Sequence, residues 1–94
     1  MAQLIHVKAI IKGVVQGVGY RWFATRASSN YNVTGYISNL PNGDVETVVE
    51  GEKGLVMDFI KELRIGPSHA SVSSIDISES EYTGKYKDFG VEFK

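Results

Sequence analysis

The stretch Gly13–Arg21, GVVQGVGYR, limits what this chain can fold into more than any other. Its three glycines interrupt an apolar run, and an arginine follows at once. Gly17 and Gly19 can adopt positive φ, which other residues resist, so the backbone is free to turn sharply here. A turn of this kind can bring the N–H groups of Val14, Val15, Gln16, Gly17, Val18, Gly19 and Tyr20 toward one point, a concavity suited to an anion.

The flanks say what the stretch connects. Upstream, Ile5, Val7, Ala9 and Ile11 alternate with His6, Lys8, Ile10 and Lys12, the period of a strand with one buried face. Downstream, Tyr20, Phe23, Ala24, Ala27 and Tyr31 recur at helical spacing, with Arg26, Ser28 and Ser29 off that stripe. The glycines therefore end at a helix N-terminus, whose unpaired N–H groups and dipole favour negative charge. Arg21, in the first turn, offers a planar fork of donors that matches phosphate. A plain tight turn beside a solvated arginine accounts for the same residues. The spacing fits neither the Walker loop nor the dinucleotide fingerprint.

The rest of the chain completes a pattern. In VTGYISNLPNGDVETVVEG, β-branched residues flank Pro41-Asn42-Gly43-Asp44, which predicts a hairpin of two strands. Leu55, Val56, Phe59, Ile60 and Leu63 form a second helical stripe, closed by Gly66 and Pro67. In ASVSSIDISESE the alternation slips between Val72 and Ile75, as at a bulge. EYTGKYKD reads as a polar loop, and Phe89, Val91 and Phe93 as a closing strand. The order β-α-β-β-α-β plus a short terminal strand predicts an α+β ferredoxin-like sandwich, an antiparallel sheet with two helices on one face. Binding modules and enzymes both use this fold, so function has to come from the site.

Composition narrows the classes. A chain of 94 residues supports one core, so residues 1–94 are expected to be a single domain. With 11 acidic and 10 basic side chains there is no broad cationic field, and neither nucleic acid nor membrane is an expected partner. Tyr20, Trp22, Tyr31 and Tyr36 do not form the aromatic signature of sheet-based RNA readers. Trp22 falls off the core stripe and is expected at the rim of the site. The absence of cysteine excludes disulfide scaffolds and thiolate chemistry, and no apolar run reaches spanning length, so a cytoplasmic protein is expected. His6 and His69 lack partners at metal-ligand spacing and read as structural or solvated.

GVVQGVGYR resembles the acylphosphatase signature G-x-V-Q-G-V-x-F-R, with Tyr20 in place of phenylalanine. GYISNLPNGDVETVVEG is similar to the second signature of that family through Gly35, Tyr36, Asn39, Gly43, Val45 and Gly51. The resemblance covers the whole chain and implies the same sandwich. It also implies hydrolysis of small acyl phosphates to a carboxylate and inorganic phosphate, with no metal and no cofactor. In that reading Arg21 and the loop amides of residues 14–20 hold the phosphate, and Asn39 orients the attacking water. The chain departs from the family at Ile37, usually smaller, and at Ser38, usually longer and polar or basic, which leaves rate and substrate preference open.

Bland readings accompany the sharp ones. Gln16 can reach a phosphate or brace the loop, with bracing favoured, and an asparagine near a hairpin often bonds local backbone. Glu46 and Glu50 read as a solvated strand face. Lys8 and Lys12 read as solvated, with a secondary part in drawing anions to the loop. A shallow cradle that grips mainly phosphate predicts broad acyl specificity, and a monomer is expected. Two rivals remain: a small-anion-binding module of the same fold without useful turnover, and one piece of a larger carbamoyl-transfer protein, which the chain's end at Lys94 speaks against.

Overall fold

The structure, a computed structural model, describes residues 3–93; Lys94 lies outside them. The elements are β1 (Leu4–Val14), α1 (Tyr20–Ser28), β2 (Thr34–Asn39), β3 (Val45–Glu52), α2 (Lys53–Ile65), β4 (Ser71–Glu81) and β5 (Phe89–Val91). The sheet order is β4-β1-β3-β2-β5. Its first four strands pair antiparallel, and β5 adds parallel to β2 at the edge. Each helix crosses over an intervening strand, α1 over β3 and α2 over β1, which is the ferredoxin-like arrangement expected from the sequence.

The alternation in β1 puts Ile5, Val7, Ala9 and Ile11 into one core, each 2% exposed or less. Ala24 and Ala27 of α1 and Val56, Phe59, Ile60 and Leu63 of α2 meet them there. Each such Val, Ile, Leu or Phe contributes about 1.5–3 kcal/mol by leaving water. The slip in β4 is a bulge: Lys12 pairs with Ser74 and Gly13 with Val72, so Ser73 is the extra residue. That bulge lies beside the start of the glycine loop. No helix of the described residues is long and apolar enough to cross a membrane.

Several residues depart from the sequence expectations. Helix α1 ends at Ser28, so Tyr31 reaches the core from the turn beyond it, with its hydroxyl donating to Glu62. Ser28 is buried because its hydroxyl donates to the Thr25 carbonyl and needs no water. Strand β5 stops at Val91, leaving Phe93 outside it. Glu46 and Glu50 are buried, at 6% and 0% exposure, where a solvated face was expected.

Their burial has a topological cause. Strand β3 is central, and the chain after β4 folds over the sheet face that bears these carboxylates. Glu50 accepts hydrogen bonds from the Thr83 hydroxyl (2.7 Å), the Thr83 and Gly84 N–H groups (2.9 and 3.0 Å) and His6 Nδ1 (2.6 Å). Burial pushes its pKa up, but the four donors outweigh that and hold it below the ordinary value. Glu46 accepts from the Tyr36 hydroxyl at 2.8 Å and lies 3.5 Å from Lys8 Nζ. His6 is thus structural, as expected, while His69 is exposed.

Candidate active site

At the end of β1 the chain leaves the sheet at Val14, buries Val15 and turns through Gly17 (φ 74°) and Gly19 (φ 76°), with Val18 between them at negative φ. A Cβ built on either glycine would meet nothing within 4 Å. Positive φ, and not crowding, is therefore what calls for glycine at both positions. Gly19 is the N-cap of α1, with no side chain capping that end and no acidic residue in its first turn. Among the described residues, the N–H groups of residues 16–20 donate to no protein acceptor.

A cleft of about 380 Å³ opens at this helix end. Gln16, Gly17, Gly19, Tyr20 and Arg21 line it from the loop and helix, and Asn39 enters from the end of β2. Residues 18 positions apart in sequence thus share one cavity because β2 returns parallel to β1 with its end near the loop. The side chains of Val14 and Val18 are not part of the lining: Val14 is exposed and Val18 packs toward the core. Val14 also still pairs with Ser71 in the ladder between β1 and β4, as the last residue of its strand.

The polar groups of the cleft differ in what occupies them. Among the described residues no carboxylate pairs with Arg21. Its guanidinium instead lies 5.4 Å from the centroid of the Phe93 ring. The Asn39 Oδ1 is buried and accepts no hydrogen bond among the described residues, an uncommon state for a buried polar atom. Lys8 and Lys12, by contrast, lie 3.5 Å from Glu46 and 3.3 Å from Asp76, so part of their charge is already answered.

Gln16 braces. Its amide nitrogen donates to the carbonyls of Leu40 and Asp44, both at 2.8 Å, stapling the glycine loop to the turn that follows Asn39. Ile37 and Ser38 are wholly buried and do not line the cleft. In this chain neither side chain is part of the surface that a ligand in the cleft meets. Trp22 stands at the rim, as its place off the core stripe predicted.

The sequence reading missed three features: the bond made by the Tyr20 hydroxyl, and the places of Val91 and Phe93 in the cleft. The Tyr20 hydroxyl is buried and donates to the Leu63 carbonyl at 2.6 Å, and burial pushes its pKa well above the ordinary phenol range. Val91 and Phe93, assigned only to a strand, complete the wall of the cleft. Parallel pairing of β5 with β2 puts them there, and nothing local in the sequence signals it. Among the described residues no group of three or more His, Asp or Glu is placed to hold a metal ion.

Comparison with known proteins agrees with this geometry. The family model described as acylphosphatase matches residues 7–91. A protein named acylphosphatase from Dehalococcoides mccartyi is 41% identical over 88 residues, 93% of this chain and 97% of its own. The crystal structure of acylphosphatase from Bacillus subtilis superposes with a TM-score of 0.90 at 26% identity, covering 94% of this chain and 98% of that one. A full-length HypF, in a phosphate- and nucleotide-bound form, has a TM-score of 0.83 at 30% identity, but the match spans 98% of this chain and only 12% of HypF. This chain belongs to the acylphosphatase family.

Proposed function

We propose that Arg21 and the backbone N–H groups of residues 14–20 grip the phosphoryl oxygens of an acyl phosphate while Asn39 holds the attacking water. Hydrolysis of an acyl phosphate is the activity that membership of the family brings; the division of labour is our reading. What carries it is one cavity that, among the described residues, holds an arginine without a carboxylate partner, a run of N–H groups that donate to no protein acceptor and an Asn39 Oδ1 that accepts no hydrogen bond.

The chemistry suits so sparse a site. Water oxygen attacks phosphorus, the bond from phosphorus to the acyl oxygen breaks, and the carboxylate leaves with the bonding pair. A carboxylate is stable as an anion near neutral pH, so no strong general acid is needed. An amide cannot serve as a base, so the water's proton passes to a phosphoryl oxygen. Asn39 Oδ1 accepts one hydrogen of that water and sets its line of attack. The loose transition state of phosphoryl transfer then depends on positioning and on charge stabilisation, supplied here by fixed amides and one guanidinium.

The same reading makes the protein a cytoplasmic monomer that works without metal or cofactor and releases inorganic phosphate. The test is hydrolysis of benzoyl phosphate in the presence of a chelator, with inorganic phosphate as inhibitor. Turnover that phosphate inhibits is the expected result. Phosphate binding without turnover would instead make the protein an anion-binding module.

A further inference from the structure

Strands β4 and β5 lie at opposite edges of the sheet, so the seven residues between them, 82–88, have to cross it. Phe89, Gly35, Val49, Val7 and Glu79 form one row of paired residues, which makes the crossing nearly square to the strands. Four strand spacings amount to about 19 Å, and seven extended residues reach about 23 Å. The segment is therefore a strap with little slack, laid over the sheet face that carries His6 and Glu50.

Its anchor is halfway across. Glu50, on central β3, is 0% exposed and accepts from the Thr83 hydroxyl and from the consecutive N–H groups of Thr83 and Gly84. Gly84 stands at φ 70°, which lets the two N–H groups converge on one carboxylate. His6, on β1, donates to the same oxygen, Oε2, that takes both Thr83 bonds. Hydrogen bonds to an ionised acceptor are stronger than neutral ones. The strap's later contacts with β2 are neutral: the Tyr86 and Tyr36 rings, 6.1 Å apart at their centroids, and the bond from the Gly35 N–H to the Asp88 carbonyl.

Strand β5 depends on what precedes it. It has three residues and pairs with β2 in parallel, the weaker of the two arrangements. Yet Val91 and Phe93 line the cleft, and the Phe93 ring lies 5.4 Å from the Arg21 guanidinium. We propose that Glu50 is a positioning residue for the cleft: through Thr83 and Gly84 it docks β5, and so sets Val91 and Phe93 around Arg21 without itself lining the cavity. The part of this that concerns ligands rests on the assignment of Arg21 and the loop as the phosphate grip.

Amide hydrogen exchange of the full chain, followed by NMR, tests the anchor. The Glu92 N–H donates to the Ile37 carbonyl at 2.9 Å and reports the docking of β5; the Leu40 N–H donates to the Asp44 carbonyl at 2.8 Å and reports opening of the hairpin. In the parent both should exchange faster than Val49, which sits in the doubly paired β3, the sign of local opening. Glu50→Gln and Thr83→Val should each speed exchange at Glu92 about tenfold and leave Leu40 unchanged. Thr83→Ser, which keeps the hydroxyl, should match the parent. A Glu92 as slow as Val49 in the parent, no acceleration at Glu92, or equal acceleration at Leu40 overturns the proposal.

The link to the cleft is read with benzylphosphonate, its affinity fixed by calorimetry. At saturation it should slow Glu92 exchange by at least about tenfold, since a ligand that needs β5 docked suppresses undocking. Bound phosphonate that leaves Glu92 exchange unchanged overturns the positioning role. No phosphonate binding removes the phosphate grip, and the anchoring of β5 by Glu50 is then decided by the exchange rates of the variants alone.

Discussion

The Tyr20 hydroxyl donates to the Leu63 carbonyl at 2.6 Å, and this one bond ties the first turn of α1 to the last turn of α2. Leu63 lies where a helix leaves carbonyls without intrahelical partners, and the residue four positions on, Pro67, has no N–H to offer. A helix of nine residues such as α1 is marginal alone, so this link and its buried alanines fix the end that carries Arg21. Removing the hydroxyl by Tyr20→Phe is expected to cost about 1–2 kcal/mol, because a buried carbonyl loses its donor. Urea denaturation measures this directly, and a variant as stable as the parent would show that the bond contributes nothing net.

Arg21 is the charged side chain among the residues lining the cleft, and the proposed mechanism gives it the phosphate. Losing one fixed electrostatic donor costs on the order of 10²–10³ in rate in enzymes of many kinds. Arg21→Ala should lose at least that much kcat/KM on benzoyl phosphate and should also weaken inhibition by phosphate. Arg21→Lys should be almost as damaging, since a point charge does not reproduce the fork. Full activity in the lysine variant would argue against a two-pronged grip.

Asn39 offers the contrasting result. With its Oδ1 assigned to the water, Asn39→Ala should lower kcat by about 10² or more while phosphate still inhibits with little change. Parallel inhibition assays on parent and variant separate the two effects. If a folded Asn39→Ala no longer binds phosphate, Asn39 belongs to the grip instead.

Gln16 serves through its staple to Leu40 and Asp44. Gln16→Ala should destabilise the fold by about 1–3 kcal/mol, with two carbonyls losing a donor at once. It should also lower kcat by loosening the alignment of the loop with Asn39. Thermal melts and turnover on one preparation suffice, and unchanged values in both would leave the staple without consequence.

Glu50 predicts a pH dependence. Its pKa in the fold is lowered from the ordinary 4.5, so its ionised form is the one the fold favours. That stability is present in full above the unfolded value and is lost as pH falls through the lower folded value. Glu50→Gln keeps the shape but not the charge, so its Tm should lie below the parent's at pH 7. The gap should close as pH falls below about 4.5 toward the folded value. A gap of constant size down to strongly acidic pH would mean that the charge is not what holds Thr83 and Gly84.

The parts of the fold that were legible in the sequence are those with a local period. β1, the hairpin and α2 announce themselves through alternation, turn chemistry and a helical stripe, and the bulge at Ser73 showed as a slip in register. What stayed hidden depends on contacts between distant residues. Glu50 looks like a solvated strand residue until residues 83 and 84 fold back over it. Arg21 stood out in the loop, and Asn39 was picked out by resemblance rather than by physics. Phe93 gave no sign of its cleft, because only the edge position of β5 brings it there.

The edge position of β5 also bears on when the site comes into being. During synthesis, a chain that has emerged as far as residue 88 already has the glycine loop, Arg21 and Asn39, yet lacks Val91 and Phe93. Its first strand, β1, waits nearly as long for β4, more than half the chain away. Contacts between sequence-distant segments form slowly and late. The cleft is therefore completed by residues that leave the ribosome well after Arg21 and Asn39, and a chain released before residue 89 carries those two without the wall that β5 adds.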